Sequence, residues 1–462
     1  MELAGKRVLV VGLGRSGVAS ALFLQSRGAR VTVSDAKSED QLREQIPTLL
    51  DAGIAVETGA HGERTFRNQD LIVVSPGVPV DAEPLVQARA LGQPVIGEIE
   101  LASQFLSGPI VAITGSNGKT TTTTLVGEII AASGFKTLVG GNIGTAAISL
   151  AEQATADTII VLEVSSFQLE TIRAFRPKVA VVLNVTPDHL DRHRTFAAYV
   201  DAKARIFENQ QGDDFAVLNA DDPTCVELAG RTRARVFWFS RKGEVESGAF
   251  VRNDHVAFRR NGSPQTVLAA SEIPLKGSHN LENVLAAVCA ATLMGCTPEK
   301  IRDAVLKFKA VEHRLEYVAT IRGVEYYNDS KATNVDATIK ALESFPANIH
   351  LILGGKDKDS DYTMLNNLLR ERVKAAYTIG AAAEKIQSHI KGTTQIVSSG
   401  TIEAAVKQAS AMARPGDVVL LAPACASFDQ FQNYEHRGRV FKELVHQLAA
   451  HDPSHHPGEP QK

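Results

Sequence analysis

The sequence predicts an α/β protein built as three domains. Three observations carry that expectation. Short apolar runs alternate with helix-length segments almost throughout, as in parallel βαβ construction. Two glycine-rich turns each join a β-branched run to a helix. The 462 residues exceed the roughly 250–300 that one hydrophobic core organises.

The first block runs from a strand at Arg7–Val11 through a helix over about Ser16 to Arg27, then a strand at Arg30–Ser34. A further strand, Leu71–Ser75, stops at Pro76-Gly77, and the strand-like PVIG ends at Gly97. The first domain is therefore expected over residues 1–97. The second opens with a strand at Ile110–Thr114, a glycine turn and a helix from about Lys119 to Ala132. Its further strands are expected at Thr158–Val164, Val179–Asn184, Phe215–Asn219 and Arg235–Phe239. A polar, more β-like stretch from Lys242 to Ala269 interrupts the alternation. The Ala-rich helix Asn280–Met294 and a helix opened by Pro298 come next, proline being at home in a first helical turn. These place the second domain at 98–310. Strands at Glu325–Asn328, Ile349–Leu353, Ala376–Ile379 and Val418–Leu421 make a third domain over 311–450. The tail, 451–462, is polar and rich in His and Pro, and is expected to be disordered.

Composition excludes several classes. A net charge of −3 gives no bulk attraction to nucleic acid or anionic lipid, and no apolar run approaches the roughly 20 residues needed to span a bilayer. The N-terminus leads straight into a strand pattern without a signal segment. Cys225, Cys289, Cys296 and Cys425 are scattered, without metal-ligand or disulfide spacing, and read as reduced, buried thiols. A cytoplasmic enzyme acting as a monomer is expected.

The strongest motif is VAITGSNGKTTTTT, Val111 to Thr124. Backbone N–H groups of such a turn surround phosphate oxygens at a helix N-terminus. Lys119 is placed to reach the β and γ phosphates and Thr120 to hold Mg²⁺. The strict pattern asks for Gly where Ile113 stands; here the loop is shorter and starts at Gly115. ATP is the expected ligand, contacted by Gly115, Ser116, Asn117, Gly118, Lys119, Thr120 and Thr121.

A second turn, Gly12-Leu13-Gly14-Arg15-Ser16-Gly17, with Asp35 about twenty residues on, matches the dinucleotide fingerprint. Tight packing alone also produces such a pattern. Ser75-Pro76-Gly77 could face a diphosphate from the same block. The residues leave NAD and a nucleotide-sugar both open.

Glu163, His189 and Lys203 end or follow apolar strands, where ligands of parallel sheets collect. Phosphoryl transfer needs cations held by carboxylates. Glu163 suits Mg²⁺; His189 suits a ligand or an orienting role; Gly141-Asn142-Ile143-Gly144 suits a substrate or metal-water contact.

Taken in order, TGSNGKTT, GGNIG, LEVSSFQL, NVTPDHLDRH, DAKARIF, GSHNLENVLAA, EHRLE, NDSKATN and PACASFDQF resemble the blocks of the Mur ligases, nearest to their D-glutamate-adding branch. The resemblance covers Val8 to about Gly438. It implies a Rossmann-like N-terminal domain for the UDP end of the substrate, a central P-loop ATPase domain with a parallel sheet, and a Rossmann-like C-terminal domain. It implies an ATP-dependent amide ligase that phosphorylates UDP-N-acetylmuramoyl-L-alanine and passes the acyl group to D-glutamate, in peptidoglycan precursor synthesis.

By the same resemblance, Lys119, Asn142, His189, Lys203 and Arg314 are catalytic, and Thr120, Glu163, His189 and Lys203 surround the metal. Lys203 corresponds to a lysine that is carbamylated, which requires a neutral amine and hence a lowered pKa. Asn280 and Asn283 correspond to adenine-side contacts, Arg314 to a γ-phosphate contact and Asp329 to a ribose contact. Gly14, Arg15, Ser16, Asp35, Lys37, Ser75, Gly77 and Asn142 correspond to the UDP-substrate contacts. Lys331, Thr333, Lys358, Ser427 and Tyr434 correspond to the amino-acid site. Tyr434 stands where the family often has Phe, and Lys37 where related enzymes often place Arg.

Three competing readings have distinct signatures. Another Mur ligase or a folylpolyglutamate synthase-like ligase would take a different amino acid. A regulatory P-loop ATPase would show no stimulation by a small amine. An NAD-dependent oxidoreductase would leave the Lys119 turn and Glu163 unemployed.

Overall fold

A computed structural model of the protein describes residues 1–309 and 311–450; the tail expected at 451–462 lies outside them. The chain forms two compact units. One comprises Met1–Glu272 with Glu282–Phe308, and the other Ile273–Leu281 with the described residues from Lys309 onward.

The first unit holds two sheets. Strands β1 (Arg7–Val11), β2 (Arg30–Asp35), β3 (Ala55–Thr58), β4 (Leu71–Val74) and β5 (Val95–Gly97) pair in parallel in the order β3-β2-β1-β4-β5. The order reverses between β1 and β4. At such a reversal the loops leave in opposite directions and open a crevice at the carboxyl ends. The Gly12–Gly17 turn comes after β1 there, and Ser75–Gly77 after β4.

The second sheet comprises β6 (Ile110–Thr114), β7 (Thr137–Gly141), β8 (Ile159–Glu163), β9 (Val179–Val182), β10 (Phe215–Asn219), β11 (Arg235–Ser240), β12 (Gly248–Arg252), β13 (His255–Arg259) and β14 (Gln265–Ala269). Its order is β14-β13-β12-β11-β10-β9-β6-β8-β7. Strands β6 to β12 pair in parallel, while β13 and β14 add an antiparallel ribbon. That ribbon is the β-like stretch expected after Lys242. Every residue of β6, β8, β9 and β10 is buried, as for parallel strands covered on both faces. Continuous apolar runs such as IVAI result from that double burial.

The two sheets are joined by the short helix Glu98–Ser103. Its buried Glu100 carboxylate accepts the backbone N–H groups of Arg173, Ala174 and Phe175 at 2.8–3.0 Å. Glu98 accepts that of Ile148 at 2.8 Å. Main-chain donors that water would otherwise satisfy are thus satisfied by side chains of the linker.

The second unit holds β15 (Glu316–Ile321), β16 (Val324–Asn328), β17 (Ile349–Gly354), β18 (Val373–Ile379), β19 (Gln395–Gly400) and β20 (Val418–Leu421), in the order β15-β16-β20-β17-β18-β19. All pairs are parallel except β15·β16. Among the described residues, no helix is long and apolar enough to cross a membrane. All four cysteines are buried and unpaired with one another, as their spacing predicts.

Candidate functional site

Strand β6 lies between β8 and β9, so the segments leaving the carboxyl ends of these three strands converge at one point. The glycine turn leaves β6, Glu163 ends β8, and Asn184 lies just beyond β9. The turn enters the helix Lys119–Ala132 through Gly118 at φ +84°. A side chain there would meet both the left-handed strain and the Asn283 amide, which sits directly against this glycine. Asn184 fixes the turn from the other side: its Oδ1 accepts the Asn117 N–H at 2.9 Å and its Nδ2 donates to the Asn117 carbonyl at 3.1 Å. The Ser116 hydroxyl donates to the Thr186 carbonyl at 2.9 Å and meets the Tyr199 hydroxyl at 3.1 Å. Ser116 and Asn117 therefore shape the turn in this conformation. Thr121, the third residue of the helix, is buried.

Glu163 is buried at the centre of the arrangement. Its Oε2 accepts from the Thr120 hydroxyl at 2.7 Å and its Oε1 from the Asn142 amide at 3.1 Å. A hydroxyl and an amide from two separate segments thus meet on a carboxylate from a third. Hard oxygen donors of this kind suit Mg²⁺.

Two lysines crowd the same turn. Lys119 Nζ and Lys203 Nζ each donate to the Gly115 carbonyl at 2.8 Å, and Lys203 also lies 4.6 Å over the Tyr199 ring. Burial, then repulsion from Lys119, holds the Lys203 amine well below its ordinary pKa. The neutral amine that carbamylation requires is therefore favoured. His189 adopts φ +53° before the turn Leu190–His193. Its ring packs edge-on to Phe167 at 5.0 Å, and Nε2 lies 3.6 Å from the Asp188 carboxylate. Phe167 also stacks on His193 and lies beneath the Arg192 guanidinium.

In the first sheet, the glycines separate by role. Gly17 packs directly against the Gly12 carbonyl and Gly12 against Val78, so packing alone requires both. Gly14 and Gly77 have no neighbour within 4 Å of where a side chain would begin. Neither has a positive φ, so the fold does not demand glycine there. Ser75 donates to the Gly12 carbonyl at 2.7 Å, tying the two turns together. The Asp35 carboxylate accepts the N–H groups of Leu13 at 2.7 Å and Lys37 at 2.9 Å. It thereby holds the turn that presents Arg15 and Ser16.

In the second unit, Lys331, Thr333, Lys358, Ser427 and Tyr434 gather beyond the carboxyl ends of β16, β17 and β20. Lys331 Nζ lies 3.8 Å over the Tyr434 ring, and the backbone of Lys356 pairs with Ala426. The fully buried Arg437 binds them together, donating to the Ser330 hydroxyl and carbonyl and to the Cys425 carbonyl at 2.8–3.2 Å. Asp329 lies near Arg314, and burial pushes its carboxyl up to about 7. Asn280 donates to the Lys276 carbonyl at 2.6 Å within this unit, whereas Asn283 belongs to the first, where it accepts from the Thr122 hydroxyl.

Sequence reasoning missed Asn184, Phe167, Tyr199 and Arg437. Tyr199 precedes Lys203 by four residues on the helix Phe196–Ala204, a spacing that puts both on one face. Nothing local marks Arg437 as buried.

Comparison with known proteins agrees over the whole chain. Residues 6–97 match the MurD-like N-terminal domain of Mur ligases, 113–291 the Mur ligase middle domain and 313–425 the Mur ligase glutamate ligase domain. The UDP-N-acetylmuramoylalanine–D-glutamate ligase of Koribacter versatilis (strain Ellin345) is 66% identical over 97% of this chain and 99% of that protein. The same-named ligase of Acidobacterium capsulatum is 60% identical over 96% and 97%. A MurF ligase from Thermotoga maritima, solved in complex with ADP, superposes with a TM-score of 0.61 at 20% identity, covering 90% of this chain and 95% of that one. With its sheets, its phosphate turn and its full-length relatives in agreement, this chain belongs to the Mur ligase family.

Proposed function

We propose that this chain is the ATP-dependent ligase that joins D-glutamate to UDP-N-acetylmuramoyl-L-alanine, working in the cytoplasm as part of peptidoglycan precursor synthesis. The observation that carries the reading is the Glu163 carboxylate held between Thr120 and Asn142 beside the Lys119 turn. It is supported by the relatives bearing that name at 60–66% identity.

The chemistry is dictated by the leaving group. A free carboxylate is a poor acyl donor because oxide must leave. In the reaction, a carboxylate oxygen attacks the γ-phosphorus and ADP departs. The amine nitrogen of D-glutamate then attacks the acyl carbon, the C–O bond to phosphate breaks, and the amine proton is released. Lys119 and the turn Gly115–Thr121 bind the triphosphate and stabilise charge on the transferring group. Mg²⁺, when bound through Thr120 and Glu163, supplies charge neutralisation at the phosphates. Asn142 and His189 orient the reacting carboxylate.

Lys203 serves as a carbamate. Its amine, held neutral by burial and by the Lys119 cation on the same carbonyl oxygen, is the form that takes up carbon dioxide, and carbamylation converts it into an anion that balances Lys119 and the metal. Gly14, Arg15, Ser16, Asp35, Lys37, Ser75 and Gly77 form the UDP subsite at the β1/β4 crevice. In the second unit, Lys331, Thr333, Lys358, Ser427 and Tyr434 receive D-glutamate. The functional domains are 1–97, 98–310 and 311–450.

The test is phosphate release by purified protein given ATP, Mg²⁺ and UDP-N-acetylmuramoyl-L-alanine with either D- or L-glutamate. Release is expected with the D isomer alone. Equal rates with both, or none with either, would overturn the assignment.

A further inference from the structure

A groove of about 480 Å³ runs along the seam between the first two sheets, walled by Val80, Arg89 and Val95 on one side and by Glu170–Arg173, Arg205 and Glu208 on the other. None of these residues belongs to the site described above. Its charges divide into two sets. Arg205 is fully engaged: it donates to Glu208 at 2.7 Å and to the carbonyls of Glu170 and Ile172. Glu170 is likewise occupied, by Arg192 at 2.9 Å and His193 at 3.4 Å. Arg89 and Arg173 are different. Arg89 donates only to the Val80 carbonyl, at 2.6 Å. Among the described residues no carboxylate pairs with either guanidinium.

Two like charges line one groove from two segments, and burial, then repulsion from Arg173, depresses the Arg89 guanidinium. Both guanidiniums reach solvent, which screens their repulsion and leaves their N–H donors open to a shared anion. Guanidinium pairs bind tetrahedral oxyanions through forked N–H donors, which a lysine pair cannot match.

We propose that the groove between Arg89 and Arg173 is a binding site for a small phosphate-type oxyanion, separate from the nucleotide turn. The anion bridges α-helical residues Glu83–Ala90 to the loop after Leu169, and so staples the two sheets. Glu170 on the groove's wall holds Arg192 and His193, three and four residues after His189, so occupancy bears on the segment that carries His189.

Two sources share this chemistry: free inorganic phosphate, and the phosphate group of a small metabolite. Calorimetric titration of the full chain with inorganic phosphate, and separately with a sugar phosphate, distinguishes them by which binds more tightly. The titrations are run on the natural chain, on Lys119→Ala, which disables the nucleotide turn, and on the double variant Arg89→Gln/Arg173→Gln. Phosphate binding is expected to persist in Lys119→Ala and to weaken at least tenfold in the double variant. The double variant should keep its melting temperature in phosphate-free buffer and its basal ligase turnover. Unchanged phosphate affinity in the double variant would overturn the proposal. So would complete loss of phosphate binding in Lys119→Ala, because every bound anion would then belong to the turn.

Discussion

At the scale of single residues, the site is governed by a few atoms with more than one claim on them. The Gly115 carbonyl takes both lysine amines, and Glu163 takes both Thr120 and Asn142. Lys119→Ala is expected to cut amino-acid-dependent phosphate release by about a hundredfold or more, as for other losses of transition-state charge stabilisation. The circular dichroism spectrum should be unchanged. Gly118→Ala places a side chain in left-handed backbone at about 1–2 kcal/mol, besides the collision with Asn283. Urea titration should show that loss, together with weakened ATP binding. Lys203 offers a test with opposite signs. Its amine is held below its ordinary pKa, so the unfolded chain binds the extra proton and stability rises with pH up to the ordinary lysine range. Lys203→Met should therefore abolish turnover while raising the melting temperature near pH 7. Mass spectrometry of the intact natural protein under bicarbonate should add one carbon dioxide, and Lys203→Met should not.

Among the elements, sheet position decides what can be read locally. The four strands absent from the sequence-based expectation are β3, β7, β15 and β19, and each forms the edge of its sheet. Their residues are largely half-exposed, so no continuous apolar run marks them. Central strands such as β6 and β10 were legible to the residue because both faces are covered. The helix Lys119–Ala132 was equally legible, its start fixed by the glycine before it. The connecting helix Glu98–Ser103 is a different case, since its function is to anchor. Glu100→Ala strands the buried Phe175 N–H and the part-buried N–H groups of Arg173 and Ala174 and is expected to cost about 2–3 kcal/mol. Urea unfolding measures this, and Glu100→Gln should recover only part of it.

Across the whole molecule, buried carboxyls contribute to the pH response of stability with a sign opposite to that of Lys203. Burial pushes the Glu98 carboxyl up to about 7, although it accepts the Ile148 N–H. Because the folded pKa lies above the unfolded one, the folded chain holds the extra proton between about pH 4.5 and 7. Its contribution is present below that window and lost as pH rises through it. Asp329, also raised to about 7 by burial, adds a decline of the same sign in the second unit. Removing the Glu98 carboxyl by Glu98→Gln should therefore remove one declining contribution, so that the melting temperature of the variant relative to the natural chain rises from pH 5 to pH 8.

The sequence by itself determined the α/β class, the buried strands, the phosphate turn and, through its ordered motifs, the family. These are written locally: double burial forces apolar runs, and a phosphate turn requires glycine, lysine and threonine in fixed succession. Only the tertiary structure decided that Asn184, Tyr199 and Phe167 frame the site, that Gly14 and Gly77 are free of packing while Gly12 and Gly17 are not, and that Arg437 clamps two loops from the core. Each of those depends on segments far apart in the chain meeting at the ends of neighbouring strands, and strand order is a property that no local stretch of residues encodes.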